Sequence, residues 1–343
     1  MRHAPPAGPA AAAPGAGHPA VRGYVLALIG AIAFSGKAVV AKLLYRHGID
    51  ALAAVALRML LAWPFFLAMS WWGERGQAPL ARGDRWRVVV LGVSGYYLAS
   101  VLDFSGLQYI SASLERLILF VYPTIVVLIV AARRRQRVTR RQALALAVSY
   151  AGVLLAFGHE AGASLQQPGA RVAWGGLLVL GCAVSYSVYL VLSGEMVARL
   201  GALRLIGLAS GIACALCLGH YALDRLLAGA PLHGGRALFD FTPAVWELSL
   251  VNATLCTVLP IWMVMRAMEL IGAPHTAQVG MVGPVSTLLL SMWLLQEPYS
   301  APMLMGTVLV LLGVGLLPRR ATAPAPPPAV VREDTGGLAP PPL

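Results

Sequence analysis

Ten stretches of this 343-residue chain are nearly free of charge and long enough to cross a bilayer as helices, and that decides most of what it can fold into. They lie at about 23–45, 52–72, 87–107, 112–131, 142–158, 173–194, 203–222, 246–267, 275–295 and 301–318. A spanning helix needs about 20 mostly apolar residues, and the fifth and tenth stretches are the short ones. Composition agrees, with 58% hydrophobic residues, 12% charged and a mean hydropathy of +0.73, against about 25% charged in soluble domains. The expected fold is an all-α integral membrane protein with ten transmembrane helices. Residues 1–20 are rich in Ala, Pro and Gly and residues 319–343 in Pro, so both are predicted to be disordered tails. The first apolar run has no short apolar core followed by a small-residue cleavage site, which predicts a retained helix.

Cations set the expected orientation. Of the 26 Lys and Arg, 18 fall on the side that holds the N-terminus, among them Arg133, Arg134, Arg135, Arg137, Arg140 and Arg141. Five fall on the other side: Lys42, Arg46, Arg171, Arg225 and Arg236. The positive-inside rule then predicts both termini in the cytoplasm. The excess of 26 cations over 14 Asp and Glu is a topology signal and not a nucleic-acid footprint, because the cations lie in short loops. Cys182, Cys214, Cys217 and Cys256 all lie within apolar stretches, so no disulfide framework is expected, and the Cys214/Cys217 pair is read as packing.

The chain is duplicated. At an offset of 161, Ile110 matches Ile271, Ala112 matches Ala273, Pro123 matches Pro284, and Gly152-Val153 matches Gly313-Val314. The two halves are 21–158 and 172–318. Five helices is an odd number, so the second half enters the membrane upside down, giving two inverted five-helix repeats with a substrate site near the midplane between them. The first helices of the halves, GAIAFSGK from Gly30 and GCAVSYSVY from Gly181, align only to within a residue or two. Small-residue stripes Gly207, Gly211, Ala215 and Ala143, Ala147, Ala151 suggest close helix packing.

Charges inside such helices are costly and mark candidate sites. The first half holds five: Lys37, Arg58, Asp103, Glu115 and Arg116. All are expected in the outer half of the membrane, Lys37 deepest, about 21 Å along its helix at 1.5 Å per residue. Three readings stay open for them: a closed network of paired charges, side chains that reach the headgroups, and groups facing a cargo cavity. Where the first half has Glu115 and Arg116 the second has Thr276 and Ala277, and its interior polar groups are neutral, with Tyr186, Tyr189, Asn252 and Gln278 the candidate ligand contacts. Pro123 and Pro284 interrupt helices at matching positions and free a backbone carbonyl in each. Gly30 to Lys37 fails as a phosphate loop, because five residues separate its glycines and Ala38 follows the Lys. No HExxH or His/Cys metal cluster is present in the sequence, so neither an enzyme, a metal site nor another cofactor is expected.

LRMLLAWPFF from Leu57, GLQYISASLERLILFVYPTIVVLI from Gly106 and RAMELIGAPHTAQVGMVGPVSTLLLSMWLLQEP from Arg266 together resemble the drug/metabolite transporter superfamily, in particular its EamA-like ten-helix carriers. The resemblance covers about 21–318. It implies a bacterial inner-membrane carrier, often an exporter of amino acids, other metabolites or drugs. The family's usual Glu-Pro of the fourth and ninth helices is here Tyr122-Pro123 and Gly283-Pro284, while Glu297-Pro298 matches its usual ending. The expected function is secondary transport of a small polar or charged metabolite by alternating access. Lys37 with Arg58 or Arg116 would attract an anionic group, and Asp103 or Glu115 would take an amine or exchange a proton. The alternatives are a passive facilitator and a non-transporting membrane scaffold or sensor. The expected partners are a small-molecule substrate, the lipid bilayer and protons as a coupling ion, with no nucleic acid.

Overall fold

The computed structural model describes residues 18–163, 169–227, 241–298 and 300–316, and among these every regular element is helical. The first five helices are α1 (His18–Arg46), α2 (Ala51–Glu74), α3 (Arg82–Leu107), α4 (Ala112–Arg133) and α5 (Arg140–Ala163). They are followed by α6 (Gly169–Leu200) and α7 (Ala202–Leu227). The helix α1 begins at His18, so residues 18–20, expected in the tail, are helical; the rest of that tail and residues 319–343 lie outside the described residues.

Helix α8 opens with Pro243–Ala253, passes a π segment at Thr254–Val258 and enters a helical run, Leu259–Gly280. The predicted non-helical link between spans eight and nine is absent, yet the chain reverses there. Along α1, Gly36 faces Cys256, Gly30 faces Met263 and Val264, and Gly23 faces Leu270 and Ile271. The ring of His275 then lies 6.1 Å from that of Tyr24, and Gly283 is back at the level of Ser35. A straight helix from residue 256 to 283 would be about 40 Å long, so the run folds back after Ile271. Helix α8 is therefore 243–271; the returning part, 272–295, with Gly283–Leu290 and a π segment at Ser291–Leu295, is α9, and Ala301–Leu316 is α10. The first half makes its matching turn openly at residues 108–111, where the Ser111 hydroxyl caps α4 by accepting from Leu114 N at 3.1 Å. At the offset of 161 the second half has Gly272, which has no hydroxyl to end one helix and start the next.

The contacts are those of a two-fold repeat. Helix α1 packs on α8 and α9, as α6 packs on α3 and α4; α2 touches α8 as α7 touches α3; and α2·α7 and α5·α10 are the self-related pairs. The last of these shows the axis directly. A methyl group on Gly152 would stand 2.6 Å from Gly306 O, and one on Gly313 would stand 2.7 Å from Ala145 O. Those two contacts exchange when each residue moves by 161. Because 152 lies against 306 and 145 against 313, α5 and α10 run antiparallel, as the inverted repeat requires. The predicted stripe Ala143, Ala147, Ala151 is exposed; the buried seam is the neighbouring face, Ala145, Ser149, Gly152 and Ala156. Gly207 does back onto Ser70 of α2, whereas Gly211 faces open space.

Candidate functional site

Helices α4 and α9 both break at the same place. In α4 a turn at residues 120–121 separates Ala112–Leu119 from Tyr122–Arg133; in α9 a turn at 281–282 precedes Gly283–Leu290. Pro123 and Pro284 follow the turns by two residues, and each lacks the N–H that would have continued the ladder. Each broken helix is then tied to the opposite half by a serine. Ser35 Oγ of α1 donates to Gly283 O at 3.0 Å and to its own Ala31 O at 2.8 Å. Ser187 Oγ of α6 donates to Tyr122 O at 3.1 Å and to its own Ala183 O at 2.6 Å. The accepting carbonyl is in both cases that of the residue before the proline. These bonds fix the register left open by sequence: Ser35 corresponds to Ser187, so Lys37 corresponds to Tyr189 and Phe34 to Tyr186.

The five candidate charges come together around α1, all at most 7% exposed. Lys37 forms an ion pair with Asp103 Oδ2. Its ammonium lies 5.4 Å from the Phe34 ring centre and 5.9 Å from that of Phe104, and the Arg58 guanidinium lies 4.6 Å from Phe104. Arg116 lies 5.2 Å from Phe34 and donates Nη2 to Ser35 Oγ at 3.2 Å. The aromatic faces supply part of the stabilisation that water would otherwise give these cations. The Glu115 carboxyl meets that of Asp103. Several polar atoms here have no hydrogen-bond partner among the described residues: Arg58 Nε and Nη2, Arg116 Nε, Asp103 Oδ1 and both oxygens of Glu115.

The symmetry-related half of the interior holds tyrosines instead. Tyr96 and Tyr189 share a hydroxyl contact of 3.1 Å, Tyr186 stacks on Tyr189 with ring centres 5.7 Å apart, and Tyr122 meets Tyr186 edge-on at 5.3 Å. A methyl group on Gly95 would lie 3.0 Å from Tyr189 Cβ, so that glycine is what lets α3 come close to the cluster. The scaffold is thus two-fold and its lining is not.

Sequence reasoning overlooked the groups that hold the site in place. The first half of α4, only eight residues, carries Glu115 and Arg116 and is capped by two carboxylates from elsewhere. Glu160 of α5 accepts from Ser111 N at 2.7 Å and Ser111 Oγ at 2.5 Å; Glu297 accepts from Ala112 N at 3.0 Å and Ser113 Oγ at 3.1 Å. Helix N-termini favour negative charge, and these acceptors take two of the orphan N–H groups. Beside them a cavity of about 320 Å³, lined by Lys42, Tyr45, Arg46, Gln108, Leu295 and Glu297, opens at this face. The hydroxyl of Tyr45 donates to Phe104 O at 2.8 Å, one residue from Asp103. Phe34 and Phe104 had a sequence signal, an aromatic residue three positions before Lys37 and one directly after Asp103.

The structure brings Lys37, Arg58, Asp103, Glu115 and Arg116 into one group and Tyr186 and Tyr189 into another. Burial removes the headgroup reading for Asp103, Glu115 and Arg116, at 1%, 0% and 7% exposure. Asn252 of α8 is fully buried, and its side-chain amide has no hydrogen-bond partner among the described residues. Gln278 lies outside the residues whose side chains are described. Pro123 and Pro284 mark the two breaks.

Comparison with known proteins places this architecture. The EamA-like transporter family matches twice, over residues 21–158 and 173–318. The chain is 30% identical over 273 residues to "Uncharacterized transporter YcbK" of Bacillus subtilis (strain 168), covering 78% of this chain and 84% of that protein. It is 24% identical over 236 residues to "Uncharacterized inner membrane transporter YicL" of Salmonella typhimurium, covering 69% and 74%. A solved structure titled "Crystal structure of protein" shares the fold, with a TM-score of 0.58 at 18% identity over 86% of this chain and 96% of that one. With two repeat matches that cover most of its length, this chain belongs to the EamA-like transporter family.

Proposed function

We propose that this membrane transporter carries a small metabolite with an anionic group, organic anion or amino-acid-like zwitterion, by alternating access between its two repeats. One observation carries the reading: the buried cluster has three cations against two carboxylates, and Arg58 Nε and Nη2 and Arg116 Nε have no acceptor among the described residues. A static network would leave those donors unmet at a cost; a bound carboxylate would meet them, and guanidinium groups suit it because their N–H geometry matches its two oxygens. In this reading Lys37, Arg58 and Arg116 take the anionic group, Asp103 holds Lys37 in place, and the tyrosines around Tyr189 line the cargo's other end.

The arginine-rich link around residues 133–141 and the other cations of that face support an orientation with both termini in the cytoplasm of a bacterial cell, in the inner membrane. The charged half of the interior then faces outward, and export is the direction that the family resemblance implies. The test is flux of labelled amino acids and organic anions in liposomes holding the purified protein. Transport above empty vesicles that falls with Lys37→Ala supports the reading. Flux equal to empty vesicles for the whole panel, unchanged by Lys37→Ala, would sink it.

A further inference from the structure

The hydrogen-bond complement of the cluster carries a second step, which rests on the transport reading for its purpose but not for its truth. Glu115 is 0% exposed, and neither of its carboxyl oxygens meets a donor among the described residues. Its neighbours' donors are turned elsewhere: Lys37 to Asp103 Oδ2, and Arg116 Nη2 to Ser35 Oγ. What Glu115 does meet is the other carboxyl, Asp103, whose Oδ1 is also without a donor. A fully buried carboxylate with no donor to either oxygen, beside a second buried carboxylate, cannot stay ionised along with it. A single proton removes the conflict: on Glu115 it neutralises one charge, and the new O–H turns a repelling neighbour, the Asp103 carboxylate, into an acceptor. Asp103 keeps its charge because Lys37 holds its other oxygen. The titratable groups whose charge bears on Glu115 are Lys37, Lys42 and Tyr45 of α1, Asp103 of α3, Cys182 of α6 and its own neighbour Arg116.

We propose that Glu115 is the proton site of this transporter, holding one proton in the closed state and exchanging it with water when the cluster opens. In that exchange the Glu115 O–H bond breaks, its electron pair stays on the carboxylate, and the proton leaves as hydronium. The vacated carboxylate is then available to a cationic group of the cargo, so proton and cargo amine exclude each other there. Position 115 has no carboxylate counterpart, Thr276 standing at the matching place in the second repeat. The device is therefore present once per molecule.

The test needs no cargo. Infrared spectra of the full chain in lipid nanodiscs at neutral pH are recorded with natural isotopes, with ¹³C-carboxyl glutamate, with ¹³C-carboxyl aspartate, and for Glu115→Gln. The expected result is a protonated-carboxyl carbonyl band that shifts with labelled glutamate, does not shift with labelled aspartate, and is lost in Glu115→Gln. No such band, a band that follows the aspartate label, or a glutamate band that survives Glu115→Gln each overturn the assignment. The labelled wild-type spectra decide between glutamate and aspartate even if the variant does not fold. In that event, Glu160→Gln and Glu297→Gln complete the assignment: a glutamate band that survives both supports Glu115, and one that vanishes in either overturns it. A band on Glu115 together with no flux in liposomes would leave the proton site standing and remove the transport reading alone.

Discussion

Ser35 and Ser187 make the same bond twice, each from the first helix of one repeat to the carbonyl before the helix-breaking proline of the other. The two distances to the partner repeat, 3.0 Å to Gly283 O and 3.1 Å to Tyr122 O, are nearly equal. The surroundings are not, because Ser35 also accepts from Arg116 and Ser187 has a tyrosine on either side in sequence, Tyr186 and Tyr189 lying one and two residues away. One hydroxyl makes both bonds in each case, so its removal loses the cross-repeat tie and the local bond together, while Ala31 O and Ala183 O stay in the helical ladder of their own helices. Ser35→Ala and Ser187→Ala are each expected to lower stability by about 1 kcal/mol, read as a drop in unfolding temperature in detergent. Only Ser35→Ala should also slow transport, because it alone releases Arg116. Equal transport losses in the two variants would show that the serines act through the fold and not through the cluster.

The Lys37–Asp103 pair separates structure from function. Removing one partner leaves a buried charge unmatched, so Lys37→Met or Asp103→Leu alone should destabilise by about 3–5 kcal/mol. Together they remove both charges, and the double variant should recover most of the lost stability while staying inactive in liposome flux. Recovery of transport along with stability would mean the pair is only a structural element.

The crossing of α5 and α10 tolerates no side chain at Gly152. A methyl group 2.6 Å from Gly306 O must push two backbones apart, and Gly152→Ala should cost about 1–3 kcal/mol. Gly158, six residues on in α5, has nothing within reach of an added methyl group, so Gly158→Ala should leave the unfolding temperature unchanged or raised. Thermal unfolding of the two variants side by side checks the seam.

The two carboxylates at the start of α4 accept from its first N–H groups. Glu160→Gln keeps the shape but replaces one acceptor oxygen and its charge at a helix N-terminus, with an expected loss of about 1 kcal/mol. Hydrogen exchange of the Ser111 and Ala112 amides should speed up in Glu160→Gln and Glu297→Gln respectively, since each amide donates to one of them. Exchange of both amides rising together in either variant would mean that the tip of α4 opens as a unit.

How much of this was legible in the sequence depended on whether the physics was local. Length and hydropathy located the helices because burial of backbone in a bilayer is a property of each segment alone. Pro123 and Pro284 located the breaks because a missing N–H needs no context. Ser35 and Ser187 gave no signal: a serine inside an apolar helix ordinarily bonds back one turn, and both do, so the second bond across the interface was visible only with the other repeat in place. The reversal after Ile271 was expected, but its helical form was not, since the capping hydroxyl that ends the equivalent turn at Ser111 is missing at Gly272. The stripe Ala143, Ala147, Ala151 misled because small residues occur on two adjacent faces of α5, and only the partner helix decides which is buried. The charges were found by their cost; that Glu115 would meet Asp103 depended on the approach of α3 to α4.

The two-fold frame has one more consequence. Rotated by half a turn about its axis, each helix pair maps onto its counterpart, so the main packing of the scaffold does not distinguish one leaflet from the other. A chain inserted upside down would build the same seams and breaks and present its cations to the wrong compartment. On the positive-inside rule, insertion orientation is then expected to follow exposed arginines such as Arg133, Arg134 and Arg137, which touch none of the interior. Substitutions there are expected to change the chain's orientation in the bilayer without altering a single contact in its site.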